Sequence, residues 1–194
     1  TKASGLIFCA FFTMVLNFLS ALSVTEQVLI TYISAFSEKS TRSKPSSAKL
    51  RAMVDVSEKE RTARVAIASG KVIFPEAVFK TLADQEFLGK KGSILQTAII
   101  AGIQGVKKTS DLIPLCHQLL LSKINIDIKP VGTSLEITCT VKCNERTGVE
   151  MEALTGVSVS ALTIYDMCKA LSQDIVISAI QLDKKTGGKN DFSR

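Results

Sequence analysis

The alternation of apolar and polar residues after position 52 predicts a sheet of four strands. Residues 64–74 are rich in branched apolar side chains, and Gly70 within them predicts a local irregularity in the strand. Strict alternation predicts half-buried strands over 119–129 and 135–143, joined as an antiparallel hairpin by a turn that contains Pro and Gly. A last apolar run predicts a strand over 175–182.

Apolar residues at helical spacing predict helices between these strands. Pro75 is placed where a helix would begin, and Ser93 can cap a second helix that ends near Lys107. Gly102 and Gly105 in that helix predict a close backbone approach to a neighbour, and residues 149–172 predict a long helix. The order strand, helices, strand, strand, helix, strand predicts an α+β fold of the ferredoxin-like, split βαβ type, an antiparallel sheet with helices packed on one face.

Residues 1–52 differ in composition from the domain predicted over 53–194. Residues 3–25 carry no charge and are almost continuously apolar, whereas 37–51 are basic, rich in serine and contain one acid, Glu38. A basic, acid-poor segment is typical of an organelle transit region, and the apolar run could also serve as a membrane anchor. We therefore expect a disordered or targeting leader and a mitochondrial matrix location, with the cytoplasm as the alternative.

The net charge and the cysteine content indicate which kind of ligand the protein binds and in which compartment it works. The net charge of +6 favours an anionic partner. Scattered basic residues, 6% aromatics and no Trp argue against nucleic acid and favour a small phosphorylated substrate. The five cysteines are odd in number and irregularly spaced, which indicates a reducing compartment. Cys139 and Cys143 share a strand face but would stand roughly 13 Å apart, so we predict no metal site.

The long predicted helix carries a charged pair on an apolar stripe. Asp166 and Lys169 follow Val159 and Leu162 at helical spacing, so the pair is expected to face the core or an interface, where solvent is scarce. One interpretation is an ion pair that only steadies the helix. In a desolvated pocket, the same two groups would tune each other's pKa and could transfer protons.

Three further features have both a structural and a chemical interpretation. His117, the only histidine, is either a hydrogen-bonded core residue or part of a site. Glu150 and Glu152 either complement the helix dipole or contact a ligand. The segment Lys184–Lys189 offers ammonium groups and glycine amides that suit phosphate oxygens, and it is equally consistent with a flexible tail.

Taken together, these segments closely resemble the cyclic pyranopterin monophosphate synthase family of molybdenum cofactor biosynthesis. The resemblance covers residues 52–194 and rests on the segments Met53–Ser57, Ile100–Gln104, Ser110–His117, Thr147–Thr155, Ala161–Ala170 and Lys185–Lys189. It implies a lyase without a cofactor that converts 3′,8-cyclo-7,8-dihydroguanosine 5′-triphosphate to cyclic pyranopterin monophosphate and releases diphosphate. It also implies a homohexamer, a trimer of dimers, whose substrate comes from a radical S-adenosylmethionine GTP cyclase.

The resemblance assigns roles residue by residue. It implies that the catalytic groups are Asp166, Lys169 and Lys91. It implies that the substrate-binding residues are Leu115, Cys116, His117, Glu150, Met151, Glu152 and Lys189, the last holding the triphosphate. Two other hypotheses remain open, a catalytically silent homologue that stabilises a partner and a basic module that associates with a membrane or nucleic acid.

Overall fold

A five-stranded antiparallel sheet is the framework of the described part of the chain, residues 52–194 of the computed structural model. The elements are, in chain order, β1 (Thr62–Ile73), α1 (Glu76–Asp84), β2 (Leu88–Gly89), β3 (Gly92–Ser93), α2 (Ile94–Lys107), α3 (Thr109–Leu112), β4 (Leu121–Val131), β5 (Ser134–Glu145), α4 (Glu150–Cys168), β6 (Val176–Thr186) and β7 (Phe192–Ser193). The sheet order is β4-β5-β1-β6-β7, and β2 and β3 form a separate small hairpin. The predicted leader lies outside the described residues, apart from Ala52.

The core lies between one face of the sheet and the helices α2 and α4. Alternate residues of β1 and β5 are buried on this face, among them Ala68, Val72 and Val141, while their neighbours on the opposite face are polar or half-exposed. Period-two patterning of this kind fixes which face of each strand meets the helices. The predicted α+β, ferredoxin-like fold with helices on one face is confirmed.

The predicted irregularity at Gly70 is also confirmed. The pairing of β1 with β6 shifts register between Ser69 and Lys71. A Cβ atom at Gly70 would meet Val157 Cγ1 of α4 at 2.6 Å. The strand therefore bends where the long helix crosses it closely.

The predicted close approach at Gly102 and Gly105 is real, but the neighbour is α4 of the same chain. A Cβ atom at Gly102 would meet the Gly156 carbonyl oxygen at 2.9 Å, and one at Gly105 would meet Val159 Cγ2 at 2.7 Å. The two helices thus touch almost backbone to backbone. These glycines consequently give no support to an interface between copies of the chain.

Several element boundaries differ from the predicted ones. Helix α4 ends at Cys168, because the next residues turn tightly and Leu171 is largely exposed. Strand β6 extends to Thr186, because Thr186 pairs with β1 and the two residues before it also pair with β7. Elements as short as β2, β3, α3 and β7 carry too few residues to show a period. No helix within residues 52–194 is long and apolar enough to span a membrane.

Candidate functional site

The three predicted catalytic residues meet at the C-terminal end of α4. Asp166 accepts from Lys169 Nζ at 2.7 Å through Oδ1, and from Lys91 Nζ at 3.5 Å through Oδ2. Asp166 and Lys169 are one helical turn apart, so the helix alone aligns them. Lys91 arrives from a different element, and sequence spacing could not have placed it.

Lys91 is presented by the turn of the β2–β3 hairpin. The chain enters this hairpin through two consecutive left-handed residues, Glu86 (φ 51°) and Phe87 (φ 54°). Phe87 is buried against the Phe79 ring, with centroids 5.8 Å apart, and its carbonyl accepts from Ile94 N at 3.0 Å. A conformation that costs free energy is therefore held in place by packing.

The expectation that solvent is scarce around the pair is wrong for the chain alone. The side chains of Asp166 and Lys169 are 53% and 57% exposed. The bond from Lys169, followed by the charges of Lys169 and Lys91, lowers the pKa of Asp166, and the same bond raises the pKa of Lys169. At neutral pH, the isolated chain thus holds a carboxylate and an ammonium that resist exchanging protons.

The N-terminal end of α4 borders a basic cavity of about 280 Å³. Its walls come from the start of β1, the loop between β5 and α4, the start of α4, the end of β6 and the loop between β6 and β7. Its charged lining residues are Lys59, Arg64, Arg146, Lys185, Lys189 and the single acid Glu150. Four residues of the predicted phosphate-binding segment, Lys185, Thr186, Gly188 and Lys189, therefore line a folded cleft, and the cleft has the charge that an anionic group requires.

Backbone contacts hold the walls of this cavity. Arg64 Nε donates to the Glu145 carbonyl at 3.3 Å, which ties β1 to the end of β5. Thr62 Oγ1 donates to the Gly187 carbonyl at 2.7 Å, and Gly187 N donates to Asp191 Oδ1 at 3.0 Å. Gly187 has φ 83°, where a Cβ atom would collide with the Ala63 carbonyl.

Four charged cavity residues were not among the predicted site residues: Lys59, Arg64, Arg146 and Lys185. Lys185 pairs with Glu150 at 3.1 Å. It lies within the segment predicted to bind phosphate, so only its individual role was missed. Arg64 lies at the start of β1 and is brought to the cavity by strand pairing, for which a single sequence gives no signal.

Predicted substrate-binding residues surround the same end of α4. Glu152 is 4% exposed, and burial, with repulsion from Glu150 as a smaller cause, raises its pKa. The pKa of the Cys116 thiol is raised by burial and then by the Glu152 charge, which places the two groups near each other. Both Leu115 and Met151 remain partly exposed.

His117 makes one defined contact. Its Nε2 lies 2.7 Å from the Val54 carbonyl oxygen. The charges of Arg146 and His117 both act on Asp55, so the ring is at the cavity end of α4. His117 is therefore hydrogen-bonded, as expected for a structural residue. It also lies near other residues that were predicted to bind substrate.

The two groups of residues are far apart within one chain. Glu150 and Asp166 are sixteen residues apart along α4, a separation of roughly 24 Å at about 1.5 Å per residue. Neither end alone combines the predicted catalytic residues with the basic cavity.

No metal centre emerges from the part of the chain that the structure describes. Residues 52–194 contain no group of three or more His, Cys, Asp or Glu side chains that could hold a metal ion. Burial raises the pKa of Cys139 to about 12, so this residue is a thiol and a poor metal ligand.

Comparison with known proteins matches these features to one family. The model of the MoaC family matches residues 53–188. A cyclic pyranopterin monophosphate synthase of Helicobacter hepaticus is 54% identical over 145 residues, covering 73% of this chain and 90% of the relative. Those of Xanthomonas campestris pv. campestris (52% over 141 residues; 72% and 86% covered) and Sulfurovum sp. (50% over 145 residues; 73% and 91% covered) are similar to nearly the same extent.

Proposed function

Because the chain belongs to the MoaC family, we propose that the two ends of α4 are halves of active sites that are completed between subunits. The chain is a lyase that converts the cyclised guanosine triphosphate to cyclic pyranopterin monophosphate and diphosphate, an early step of molybdenum cofactor biosynthesis. The observation that carries the proposal is the separation along α4. A general acid or base must come within about 3 Å of the proton that it moves.

The basic cavity supplies the phosphate-binding half. Arg146, Lys185 and Lys189 offer charge-assisted hydrogen bonds to the phosphate oxygens, and the first turn of α4 adds its partial positive charge. The reacting atoms of the nucleotide are only a few covalent bonds from its phosphates. A nucleotide held here cannot also reach Asp166 of the same chain, roughly 24 Å away.

The orienting groups lie beside the cavity. His117, Cys116 and Glu152 can hydrogen-bond the base and ribose, while Leu115 and Met151 offer apolar contact to the rings. Glu150 holds Lys185 in place through its ion pair. All of these residues serve in binding and orientation, and proton transfer is left to the residues at the other end of α4.

Asp166, Lys169 and Lys91 of a neighbouring subunit supply the proton transfers. In the single chain, this end is surrounded by water, and exposed Leu162 precedes it on the helix. Covering it with a second copy would remove water from the ion pair, bring the two pKa values closer together and allow a proton to pass. We propose a homohexamer, a trimer of dimers, as the assembly that does so.

Mixing inactive subunits tests this arrangement. Asp166→Asn breaks the catalytic half, and replacing Arg146, Lys185 and Lys189 together by Ala breaks the phosphate-binding half, so each protein alone should release almost no diphosphate. Co-assembled in equal amounts, they should regain up to about a quarter of wild-type activity, because half of the dimers are mixed and one of their two sites is intact. Recovery should not occur if each site lies within one chain.

A second mixture is the matched control. Asp166→Asn and Lys169→Met both damage the catalytic half, so their mixture should stay inactive at every ratio. Recovery of activity in this control would mean that Asp166 and Lys169 of one site come from different subunits, which would contradict the proposed arrangement. Release of diphosphate by the unmixed wild-type protein separates the lyase from a silent homologue and from a basic module.

The origin of the substrate and the location of the protein are also part of the proposal. We propose that a radical S-adenosylmethionine GTP cyclase provides the cyclised nucleotide, and that residues 1–52 are a leader that takes no part in catalysis. Their basic, serine-rich composition supports a mitochondrial matrix location, whereas the bacterial relatives are compatible with the cytoplasm. Removing residues 1–51 should leave turnover unchanged, and imaging the full chain with a fluorescent tag would decide between the compartments.

A further inference from the structure

The contact between His117 and Val54 determines which ring nitrogen carries hydrogen. The Nε2 atom lies 2.7 Å from the Val54 carbonyl oxygen. A carbonyl oxygen can only accept, so Nε2 must be the donor. In the neutral ring, Nδ1 then holds the free lone pair, and no partner for Nδ1 is found among residues 52–194.

The segment that supplies this carbonyl, Met53–Ser57, is shaped by its own hydrogen bonds. Asp55 Oδ1 accepts from Ser57 N at 2.8 Å, a local turn that starts directly after Val54. The side chains of Met53 and Val54 are 51% and 66% exposed, so burial of apolar surface contributes little to holding them. The position of the Val54 carbonyl therefore depends on this turn and on the bond to His117.

The same turn places a negative charge beside the cavity. The Ser57 backbone N–H is the main cause that lowers the pKa of Asp55, and the charges of Arg146 and His117 add to it. Asp55 is thus a carboxylate within electrostatic range of both groups. It can hold the segment toward the cavity without occupying the place of the substrate.

We propose that Met53–Ser57 is a positioning element of the active site that holds His117 in the Nε2–H tautomer and presents Nδ1 to the substrate. Asp55 acts through the turn that it closes, so it is a positioning residue. The inference about the tautomer stands on the hydrogen bond alone. Only the statement that Nδ1 meets the nucleotide rests on the proposed function.

A single histidine makes the tautomer directly observable. Nitrogen-15 spectra of the full-length protein, labelled at histidine and recorded at a pH where the ring is neutral, contain one imidazole. We expect a pyrrole-type signal for Nε2 and a pyridine-type signal for Nδ1. The reverse pattern, or two signals averaged between the types, would overturn the proposal.

Three variants connect the spectrum to catalysis. Asp55→Ala removes the turn and should average the two nitrogen signals and lower kcat roughly tenfold, the order expected for one lost hydrogen bond in a site. Asp55→Asn keeps an oxygen that can accept from Ser57 N and should restore the wild-type spectrum and most of kcat. Glu58→Ala removes an exposed acid of the same region and is the matched control, with both properties unchanged.

The outcomes separate the two proposals. An unaltered spectrum and unaltered kcat in Asp55→Ala would overturn the role of the segment. A wild-type protein with the expected spectrum and no diphosphate release would contradict the proposed function and leave the assignment of the tautomer intact.

Discussion

The two ends of α4 carry charged residues in opposite settings. At the N-terminal end, Glu150 and Lys185 line a cavity, and hydrogen bonds from the Thr62 and Arg64 side chains to backbone carbonyls hold the segments around them. At the C-terminal end, Asp166 and Lys169 are more than half exposed, with Lys91 held only by a long contact to Asp166. The first end is built by the chain itself, whereas the second is only half enclosed.

This difference explains how the exposed pair of Asp166 and Lys169 can have the role that we propose for it. A binding cleft for phosphate works in contact with water, since its donors need only point inward. Proton transfer between a carboxylate and an ammonium needs the two pKa values to approach, which water prevents. The enclosed end therefore suits the proposed binding role, and the proposed proton transfer at the open end requires a second surface that excludes water.

The largest expected effect is at the open end. Asp166→Asn or Lys169→Met should lower turnover roughly 10²-fold or more, because each removes a group that we propose transfers protons. Lys91→Ala should behave similarly. The thermal midpoint should hardly change, since the three side chains are exposed. Diphosphate release and thermal unfolding measure the two effects, and near-normal turnover would leave only an ion pair that steadies the helix.

A smaller effect, of a different kind, is expected in the cavity. Lys185→Ala should raise KM roughly tenfold or more through a lost charge-assisted contact, with a lesser change in kcat. Lys189→Ala should act in the same direction and more weakly, because this residue is exposed. Lys184→Ala is the control, as residue 184 precedes Lys185 on β6 and is absent from the cavity wall. A fall in kcat at unchanged KM would contradict a binding role.

The smallest effect concerns Glu152 and pH. Burial raises the pKa of this carboxyl above its ordinary value of 4.5, so its charged form is disfavoured in the folded state. Below pH 4.5 both states are protonated, and the residue costs nothing. As the pH rises from 4.5 to the folded pKa, the unfolded chain loses its proton first and stability falls.

Glu152→Gln removes this dependence. The variant should match the wild-type thermal midpoint at acid pH and exceed it at neutral pH, with the gap opening above pH 4.5. Parallel midpoints at every pH would mean that Glu152 is stabilised by a partner outside this chain.

The local pattern of apolar and polar residues predicted most of the fold. Period-two alternation in β4 and β5 and the glycine at position 70 are local signals, and each one gave the right element. The exposure of Asp166 could not be predicted from the sequence. An apolar stripe on a helix indicates a buried surface, but it does not show whether the same chain or a second copy covers that surface. In the single chain, Leu162 remains 60% exposed on that stripe.

The site was predicted where its residues lie close in sequence. Asp166 and Lys169 are one turn apart, so the helix rule alone pairs them. Arg64 and the Arg146 carbonyl that it contacts are 82 residues apart and meet because β1 pairs with β5. Long-range pairing of this type leaves no signal in local composition. The contact of Lys91 with Asp166 could not be predicted from local spacing for the same reason.

The position of β1 at the centre of the sheet also sets an order of events during synthesis. This strand leaves the ribosome first, yet its partners β5 and β6 follow much later, and the Thr62–Gly187 bond spans 125 residues. The β4–β5 hairpin can form beforehand, since its strands are adjacent in the chain. An unfinished chain thus exposes an unpaired central strand, and the basic cavity, to which β1, the start of α4 and the end of β6 all contribute, forms only after β6 has been synthesised.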